Sequence, residues 1–245
     1  MTKAPENRFH EYLSAGQPAF GVWVASSDPV SAEIIGRSGF DCALLDAQHG
    51  GVNQANLVSL LQAMELGGTP SLVRVGGVDA AQIMRALDLG AAGVVVPMVS
   101  NVEEARVAAS AMRYPPQGTR SFGQLRGSGY YTASSAGPDP LCFAMIETQA
   151  GINNLDEIAA VPGIDGLFVG PVDLALAIGL GPVLIAAACK KHGKVCASAS
   201  LGIGHARSLL DAGVQLVLQG SDMGFVRMAA AGVVSQLNEI RKELT

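Results

Sequence analysis

The sequence predicts a single (β/α)₈ barrel over residues 1–245, and three observations lead to this prediction. Eight short apolar segments alternate with helical stretches along the chain, which is typical of a parallel α/β fold. Each apolar segment is almost continuously hydrophobic, as expected for strands that are covered on both faces. Eight strand–helix units within 245 residues favour a closed barrel over an open sheet.

The apolar segments predict strands at residues 20–24, 42–46, 71–75, 93–97, 142–147, 166–170, 195–198 and 215–219. The stretches between them predict helices at residues 29–39, 53–66, 79–89, 102–112, 153–160, 183–192, 204–212 and 225–243. Asp28 followed by Pro29 gives the first of these helices an N-cap and a proline at its first position. The longest segment without a predicted element, residues 120–140, is rich in Gly, Ser and Tyr, and a loop of that length is often functional.

The composition narrows the class of protein. With 49% hydrophobic and 15% charged residues, the chain is globular and has a large core. Its net charge of -5 argues against a nucleic-acid partner, and no apolar run is long enough to cross a membrane. Since the N-terminal segment also lacks the apolar stretch of a signal peptide, we expect a cytoplasmic protein. We interpret the four cysteines, which form no C-x-x-C pair, as buried reduced thiols.

Chemistry in a barrel of this type gathers at the carboxyl ends of the strands. The ionisable or nucleophilic residues that the sequence places there are few: Asp46, His49, Arg74, Glu147, Asp173, Ser221 and Asp222. No lysine lies in a predicted strand or at such an end, so chemistry through a Schiff base is not expected. A carbanion formed at this site would then have to be stabilised by a metal ion.

Glu147 and Asp173 each follow an apolar run, and a carboxylate at the rim of a dry barrel needs a partner. A divalent cation held by both would satisfy them, and so would a salt bridge to an arginine. Arg74 lies in an otherwise apolar strand, where its partner could be a bound carboxylate or a structural Asp or Glu. His49 follows Asp46 by three residues, so Asp46 could orient its imidazole for acid/base chemistry, or His49 could be an ordinary loop residue.

Six blocks between about Phe20 and Met228 resemble the HpcH/HpaI family of class II pyruvate aldolases. The blocks are GFDCALLDAQHG, PSLVRV, RALDLGAAGVVVPMVSNVEEA, RYPPQGTRSFG, IETQAGINNLDEIAAVPGIDGLFVGPVDLA and GSD. Together they cover almost the whole chain and are highly specific, although no single block is. The resemblance implies a barrel of the phosphoenolpyruvate/pyruvate superfamily type. It also implies an aldolase that cleaves or forms 4-hydroxy-2-oxo acids from pyruvate or hydroxypyruvate and an aldehyde.

The resemblance assigns catalytic roles position by position. Glu147 and Asp173 match the ligands of a divalent metal, with Mg²⁺, Mn²⁺ or Co²⁺ as the ion. Arg74 matches the residue that contacts the 2-oxo oxygen and stabilises the enolate. His49, oriented by Asp46, matches the acid/base residue.

Further positions match residues that bind substrate. The backbone N–H groups of Val172 and Asp173 would receive the pyruvate carboxylate, and Gln48 and Gly170 complete this set. Asp88 matches a position that reaches the active site of a neighbouring subunit. The resemblance therefore implies a homo-oligomer, commonly a hexamer built as a trimer of dimers.

The chain departs from the family pattern at three places. Gln48 stands where the family usually has Glu, although some relatives share the QHG form, and this removes a charge near the metal. Met145 replaces a common Gln, which makes the pocket wall less polar. The stretch from Asp173 to Gly193 is shorter than in the relatives.

Three alternatives remain from the sequence. The first is a related enolate-forming lyase that acts on a CoA ester or a phosphoenolpyruvate-type substrate, although such an ester would require more basic residues around the barrel mouth. The second is a phosphate-binding barrel enzyme, because Gly-rich turns follow the last two predicted strands. The third is a sugar-acid binder that lost turnover through Gln48.

Overall fold

A computed structural model describes residues 8–123, 125–126, 139–170 and 182–244. Eight parallel strands form a closed barrel in which each strand pairs with the next along the chain and β8 pairs with β1. Every predicted strand is confirmed, with boundaries that differ by at most two residues. The strands are β1 (Ala19–Val24), β2 (Cys42–Asp46), β3 (Ser71–Arg74), β4 (Gly93–Val96), β5 (Leu141–Ile146), β6 (Gly166–Val169), β7 (Val195–Ser200) and β8 (Leu216–Ser221).

Helices surround the barrel. Those in the described residues are α1 (Phe9–Ser14), α2 (Pro29–Gly36), α3 (Leu57–Gly67), α4 (Ala80–Asp88), α5 (Val102–Ala111), α6 (Gln149–Asn153), α7 (Leu155–Ala159), α8 (Val183–His192), α9 (Ile203–Asp211) and α10 (Asp222–Glu243). The predicted cap of α2 is confirmed, because the Asp28 carboxylate accepts hydrogen bonds from the N–H groups of Val30 and Ser31.

Side chains alternate between two apolar cores, as the pleat of a strand requires. One core fills the barrel interior, where Leu44, Leu72, Phe143 and Phe168 are fully buried. The other lies between the barrel and the helices, and it includes the strand residues whose side chains point outward. Because both faces of every strand are covered, the strands read as continuous hydrophobic runs in the sequence.

The N-terminal helix α1 is absent from the prediction. Phe9 and Leu13, one turn apart, are buried in the interior core and close the amino end of the barrel. His10 lies on the same helix, and its Nε2 is buried with no hydrogen-bond partner. Burial lowers the pKa of His10 below its ordinary value.

Three other boundaries differ from the prediction for local reasons. The helix predicted at residues 153–160 is confirmed as the shorter α7, and α6 precedes it without having been predicted; the backbone at Asn154 leaves the helical conformation between the two. Helix α3 begins at Leu57, because Asn53 and Asn56 use their side chains in turns rather than in the helix. Helix α10 begins three residues earlier than predicted, where the Ser221 hydroxyl accepts a hydrogen bond from the Gly224 N–H.

Candidate active site

Asp46 and Arg74 form a buried ion pair at the carboxyl ends of β2 and β3. The strand register places the two residues side by side, and both are less than a tenth exposed. Arg74 donates from Nε to Asp46 Oδ1 at 2.9 Å and from Nη2 to Asp46 Oδ2 at 2.7 Å. This bidentate geometry is the strongest arrangement available to the pair. Of the two partners considered for Arg74, the structure shows the structural aspartate.

Trp23 belongs to the same network, although the sequence analysis did not single it out. Its indole Nε1 donates to Asp46 Oδ2 at 3.2 Å, and its ring lies 4.6 Å from the Arg74 guanidinium carbon. Phe168 packs edge-on against Trp23 from the other side of the barrel, with 6.1 Å between ring centroids. The indole therefore contacts both members of the ion pair, by a hydrogen bond to Asp46 and by its ring face to Arg74. The signal that could have revealed it is its period-2 spacing with Ala19 and Gly21 on β1.

The carboxylate of Asp46 does not orient the His49 imidazole as we expected. Its Oδ1 accepts the backbone N–H groups of Gln48 at 3.1 Å and His49 at 3.2 Å, while both oxygens bond Arg74. Burial raises the pKa of Asp46, but the hydrogen bonds and the charge of Arg74, together with the other donors, outweigh burial and keep the pKa below its usual value. Asp46 thus fixes the backbone of the loop that bears His49, whose side chain is exposed at the barrel mouth.

Gln48 places an unsatisfied acceptor at the same site. Its side-chain Oε1 is buried and has no hydrogen-bond partner in the structure. A buried amide oxygen without a partner is destabilising, so such groups are found where a water or a ligand completes them. Gln48 can therefore accept a hydrogen bond from a substrate hydroxyl or from a water.

Glu147 lies directly after β5, about 5% exposed, with its carboxylate at the barrel mouth. Its Oε1 accepts the backbone N–H of Met98 at 2.8 Å. Met98 has a φ of 60°, the only non-glycine residue with a positive φ among the described residues, and non-glycine residues avoid this left-handed conformation. The backbone at Met98, after β4, is thus held in an unfavourable conformation in which its own N–H donates to the Glu147 carboxylate.

Gly170, after β6, makes room for Glu147. A Cβ added at Gly170 would lie 2.6 Å from the Cβ of Glu147 and 2.8 Å from its Oε2. Both distances are shorter than real contacts, so a side chain at position 170 would displace the carboxylate. Of the predicted substrate- and metal-binding residues nearby, Val172 and Asp173 lie outside the described residues.

Asp222, after β8, is buried and has a structural role. Its carboxylate accepts the backbone N–H groups of Ala25 at 3.0 Å and Ser26 at 2.8 Å. It therefore ties the loop after β1 to the start of α10. The four cysteines are all free and buried, which confirms the interpretation of them as reduced core thiols.

Asp88 lies at the far end of the barrel from this site, since it ends α4 and so precedes the amino end of β4. Its Oδ1 accepts a hydrogen bond from Arg120 Nη2 at 2.8 Å. Arg126, in the same loop, pairs with Glu65. The segment of residues 120–140 connects α5 to β5, so Arg120 and Arg126 lie toward the amino ends of the strands of their own barrel. Tyr130 lies outside the described residues.

The fold and the polar residues at the carboxyl ends of its strands define an α/β-barrel enzyme. A family model described as HpcH/HpaI aldolase/citrate lyase matches residues 19–183. The chain is 36% identical to a hydroxypyruvate/pyruvate aldolase of Rhizorhabdus wittichii, over 94% of this chain and 98% of that protein. It is also 36% identical to a 5-keto-4-deoxy-D-glucarate aldolase of Klebsiella pneumoniae, over 91% and 93% of the two chains.

Solved structures agree. A family protein of Burkholderia cenocepacia superposes with a TM-score of 0.83 at 26% identity, over 95% of this chain and 99% of that one. A citrate lyase beta subunit of M. tuberculosis, in complex with oxaloacetate and magnesium, shares the fold alone, at 17% identity and a TM-score of 0.56 over 85% of this chain and 93% of that one.

The chain belongs to the HpcH/HpaI aldolase/citrate lyase family. The predicted resemblance, the barrel and the aldolase class of carbon–carbon lyase are confirmed. The alternatives that involve a CoA ester or a phosphate-binding barrel are not favoured. In the described part of the chain, no helix is long and apolar enough to cross a membrane.

Proposed function

We propose that this protein is a metal-dependent aldolase in which Glu147 and Asp173 hold a divalent cation, Mg²⁺, Mn²⁺ or Co²⁺, and Arg74 stabilises the enolate of pyruvate or hydroxypyruvate. The observation on which the proposal rests most is the arrangement of Glu147. Its buried carboxylate accepts a hydrogen bond from the Met98 N–H, and the absence of a side chain at Gly170 leaves room for it. Hard carboxylate oxygens of this kind suit such a cation. The described residues contain no group of three or more His, Cys, Asp or Glu side chains placed for a metal, so water and substrate would complete the coordination.

The bound cation supplies positive charge to an enolate that forms at the 2-oxo acid. Arg74 supplies N–H donors to the enolate oxygen, because its pairing with Asp46 uses only some of these donors and fixes the plane of the guanidinium. We assign carboxylate binding to the backbone N–H groups of Val172 and Asp173. Gln48 accepts a hydrogen bond from the hydroxyl of the second substrate through its unpaired oxygen.

His49 moves the proton in this proposal. In cleavage, His49 accepts the proton of the C4 hydroxyl, and the electron pair of the C3–C4 bond passes to the enolate as the aldehyde leaves. The enolate then takes up a proton at C3 to give pyruvate. In synthesis, His49 returns a proton to the oxygen of the aldehyde. Its exposed position on a loop that Asp46 fixes allows it to reach a substrate bound at the mouth.

We also propose that the enzyme is a homo-oligomer, a hexamer built as a trimer of dimers, in which Asp88 reaches a neighbouring site. The support is α10, in which Asp222 is the only buried residue. Four of its apolar side chains lie at spacings of seven, four and three residues, which places them on one side of the helix, and each is more than half exposed: Val226, Val233, Leu237 and Ile240. An exposed apolar stripe of this kind marks a protein contact. A cytoplasmic location is part of the same proposal, in line with four free thiols.

The experiment is a retro-aldol assay on protein stripped with a chelator. A 4-hydroxy-2-oxo acid is supplied with and without Mn²⁺ or Mg²⁺, and released pyruvate is measured. We expect activity to vanish without metal and to return with it, and Glu147→Gln to lower both Mn²⁺ affinity and turnover. Activity that is indifferent to the chelator would refute the metal assignment. Light scattering of Leu237→Glu against the unchanged protein tests the oligomer, since a charge in the stripe should dissociate it.

A further inference from the structure

Among the described residues, the mouth of the barrel has no unpaired Lys or Arg side chain for a second substrate. The described segments that leave the carboxyl ends of the strands contain no Lys or Arg: residues 25–28, 47–56, 75–79, 97–101, 147–148 and 201–202. In the sequence, residues 170–182, which follow β6, contain none either. The nearest arginines along α9 and α10, Arg207 and Arg227, lie more than one helical turn beyond these segments. Arg227 donates its Nε to the carbonyl of Met223.

In the part of the chain that the structure describes, the one guanidinium that reaches the mouth, that of Arg74, is already paired with a carboxylate. Arg74 forms two hydrogen bonds to Asp46 in a pair that is almost fully buried. A neighbouring subunit that brings Asp88 would bring Arg120 with it, and these two are joined at 2.8 Å. Both pairs have a net charge of zero, so neither adds a free positive charge.

The charge of the loaded site follows from this count and rests on the proposed function. One divalent cation balances the carboxylates of Glu147 and Asp173, and the 2-oxo acid then adds its own negative charge. An aldehyde acceptor that carries an anionic group of its own would bring a further negative charge to the site. That group would be desolvated without gaining a cationic partner, which is strongly unfavourable. Apolar side chains stand at this mouth instead, since Leu201 and Ile203 are each more than three quarters exposed after β7.

We infer that the acceptor of this aldolase is an uncharged aldehyde, with a hydroxyl or alkyl chain and without a phosphate, sulfonate or carboxylate group. The relatives include aldolases named for glucarate and sulfogluconate derivatives. The acceptor inferred for this chain therefore differs in charge from an anionic aldehyde.

The test has two independent readouts on the metal-loaded protein. Exchange of the C3 protons of pyruvate for deuterium, followed by NMR, reports enolate formation without any acceptor. Condensation with pyruvate is then compared within two matched pairs, butanal against succinic semialdehyde and glyceraldehyde against glyceraldehyde 3-phosphate. We expect kcat/KM to be at least about tenfold higher for the uncharged member of each pair, equivalent to about 1.4 kcal/mol in the transition state.

Each outcome bears on a different claim. Exchange with equal or better use of the anionic aldehydes, or with no use of the uncharged ones, would overturn the inference while the proposed function stands. Absence of exchange would refute the proposed function itself, and the inference with it.

A charge variant tests the physical reason. Ile203→Arg adds a cation at the mouth and should shift the preference between butanal and succinic semialdehyde at least threefold toward the anion. Ile34→Arg adds the same cation on the exposed surface of α2 and is the matched control, for which we expect no shift. An unchanged preference in both variants would show that charge does not select the acceptor, and this too would overturn the inference.

Discussion

Replacement of Asp46 by asparagine should strongly destabilise the barrel. In the native protein its carboxylate accepts two hydrogen bonds from Arg74 and one each from Trp23, Gln48 and His49. An asparagine removes the charge and turns an NH₂ group toward some of these donors. Arg74, about 7% exposed, is then left as a buried charge without its counterion.

The expected loss is about 3–5 kcal/mol in the free energy of unfolding, the range found when one member of a buried ion pair is removed. For a chain of this length, that loss corresponds to a decrease in melting temperature of roughly 6–20 °C. Urea unfolding followed by far-UV circular dichroism, with chelator present so that metal binding does not contribute, measures it. Glu33→Gln, which breaks the exposed pair with Arg37, is the control and should lose less than about 1 kcal/mol.

The pH dependence gives a second readout of the same pair. The pKa of Asp46 lies below its ordinary value, so the charged carboxylate stabilises the fold fully above that ordinary value, near about 4. The stabilisation is lost as the pH falls through the lowered pKa of the folded state. The gap in stability between the native protein and Asp46→Asn should therefore narrow below about pH 4.

The reasoning would be refuted by a loss under about 1 kcal/mol for Asp46→Asn. It would also be refuted if Asp46→Leu combined with Arg74→Met were no more stable than Asp46→Leu alone. In the double variant no buried charge remains, so much of the lost stability should return.

Other predictions concern the site and the core. Gly170→Ala should displace Glu147 and lower Mn²⁺ affinity at least about tenfold by calorimetry, whereas Gly204→Ala, which meets no neighbouring atom, should not. Met98→Val should lower Mn²⁺ affinity about tenfold, because a β-branched residue avoids the left-handed backbone that directs the N–H at Glu147. Met98→Asn tolerates that backbone and should keep the affinity, so equal losses in both variants would contradict the explanation. Burial raises the pKa of the Cys142 thiol to about 12, and it and the other buried thiols should react with a thiol reagent only after denaturation. Fast labelling of the native protein would contradict this.

Much of the barrel could be predicted because strands covered on both faces leave continuous apolar runs, and α2 could be located from the Asp28–Pro29 cap. The positions of Asp46, Arg74 and Glu147 at strand ends followed from the same pattern. The ion pair between Asp46 and Arg74 could not be predicted in this way, because it depends on the register between β2 and β3, which no local pattern specifies.

Other features needed the three-dimensional structure for different reasons. Trp23 lies in an apolar strand and looks like any core aromatic residue until its Nε1 is seen to donate to Asp46. The left-handed backbone of Met98 is imposed by the tertiary structure against the preference of the residue. The position of Arg120, by contrast, follows from connectivity alone, because a segment between a helix and the following strand must lie at the amino ends of the strands.

The indole of Trp23 is the only tryptophan chromophore in the chain, and it stacks against the guanidinium of Arg74. Its emission is therefore an intrinsic optical signal from the floor of the candidate site, free of background from other tryptophans. A ligand that forms a hydrogen bond to Arg74 changes the electric field at this ring and therefore the emission of Trp23. Its binding can then be titrated by fluorescence, without a label and without turnover. Natural placement of a single fluorophore thus makes this barrel suited to stopped-flow work on the order in which its substrates enter.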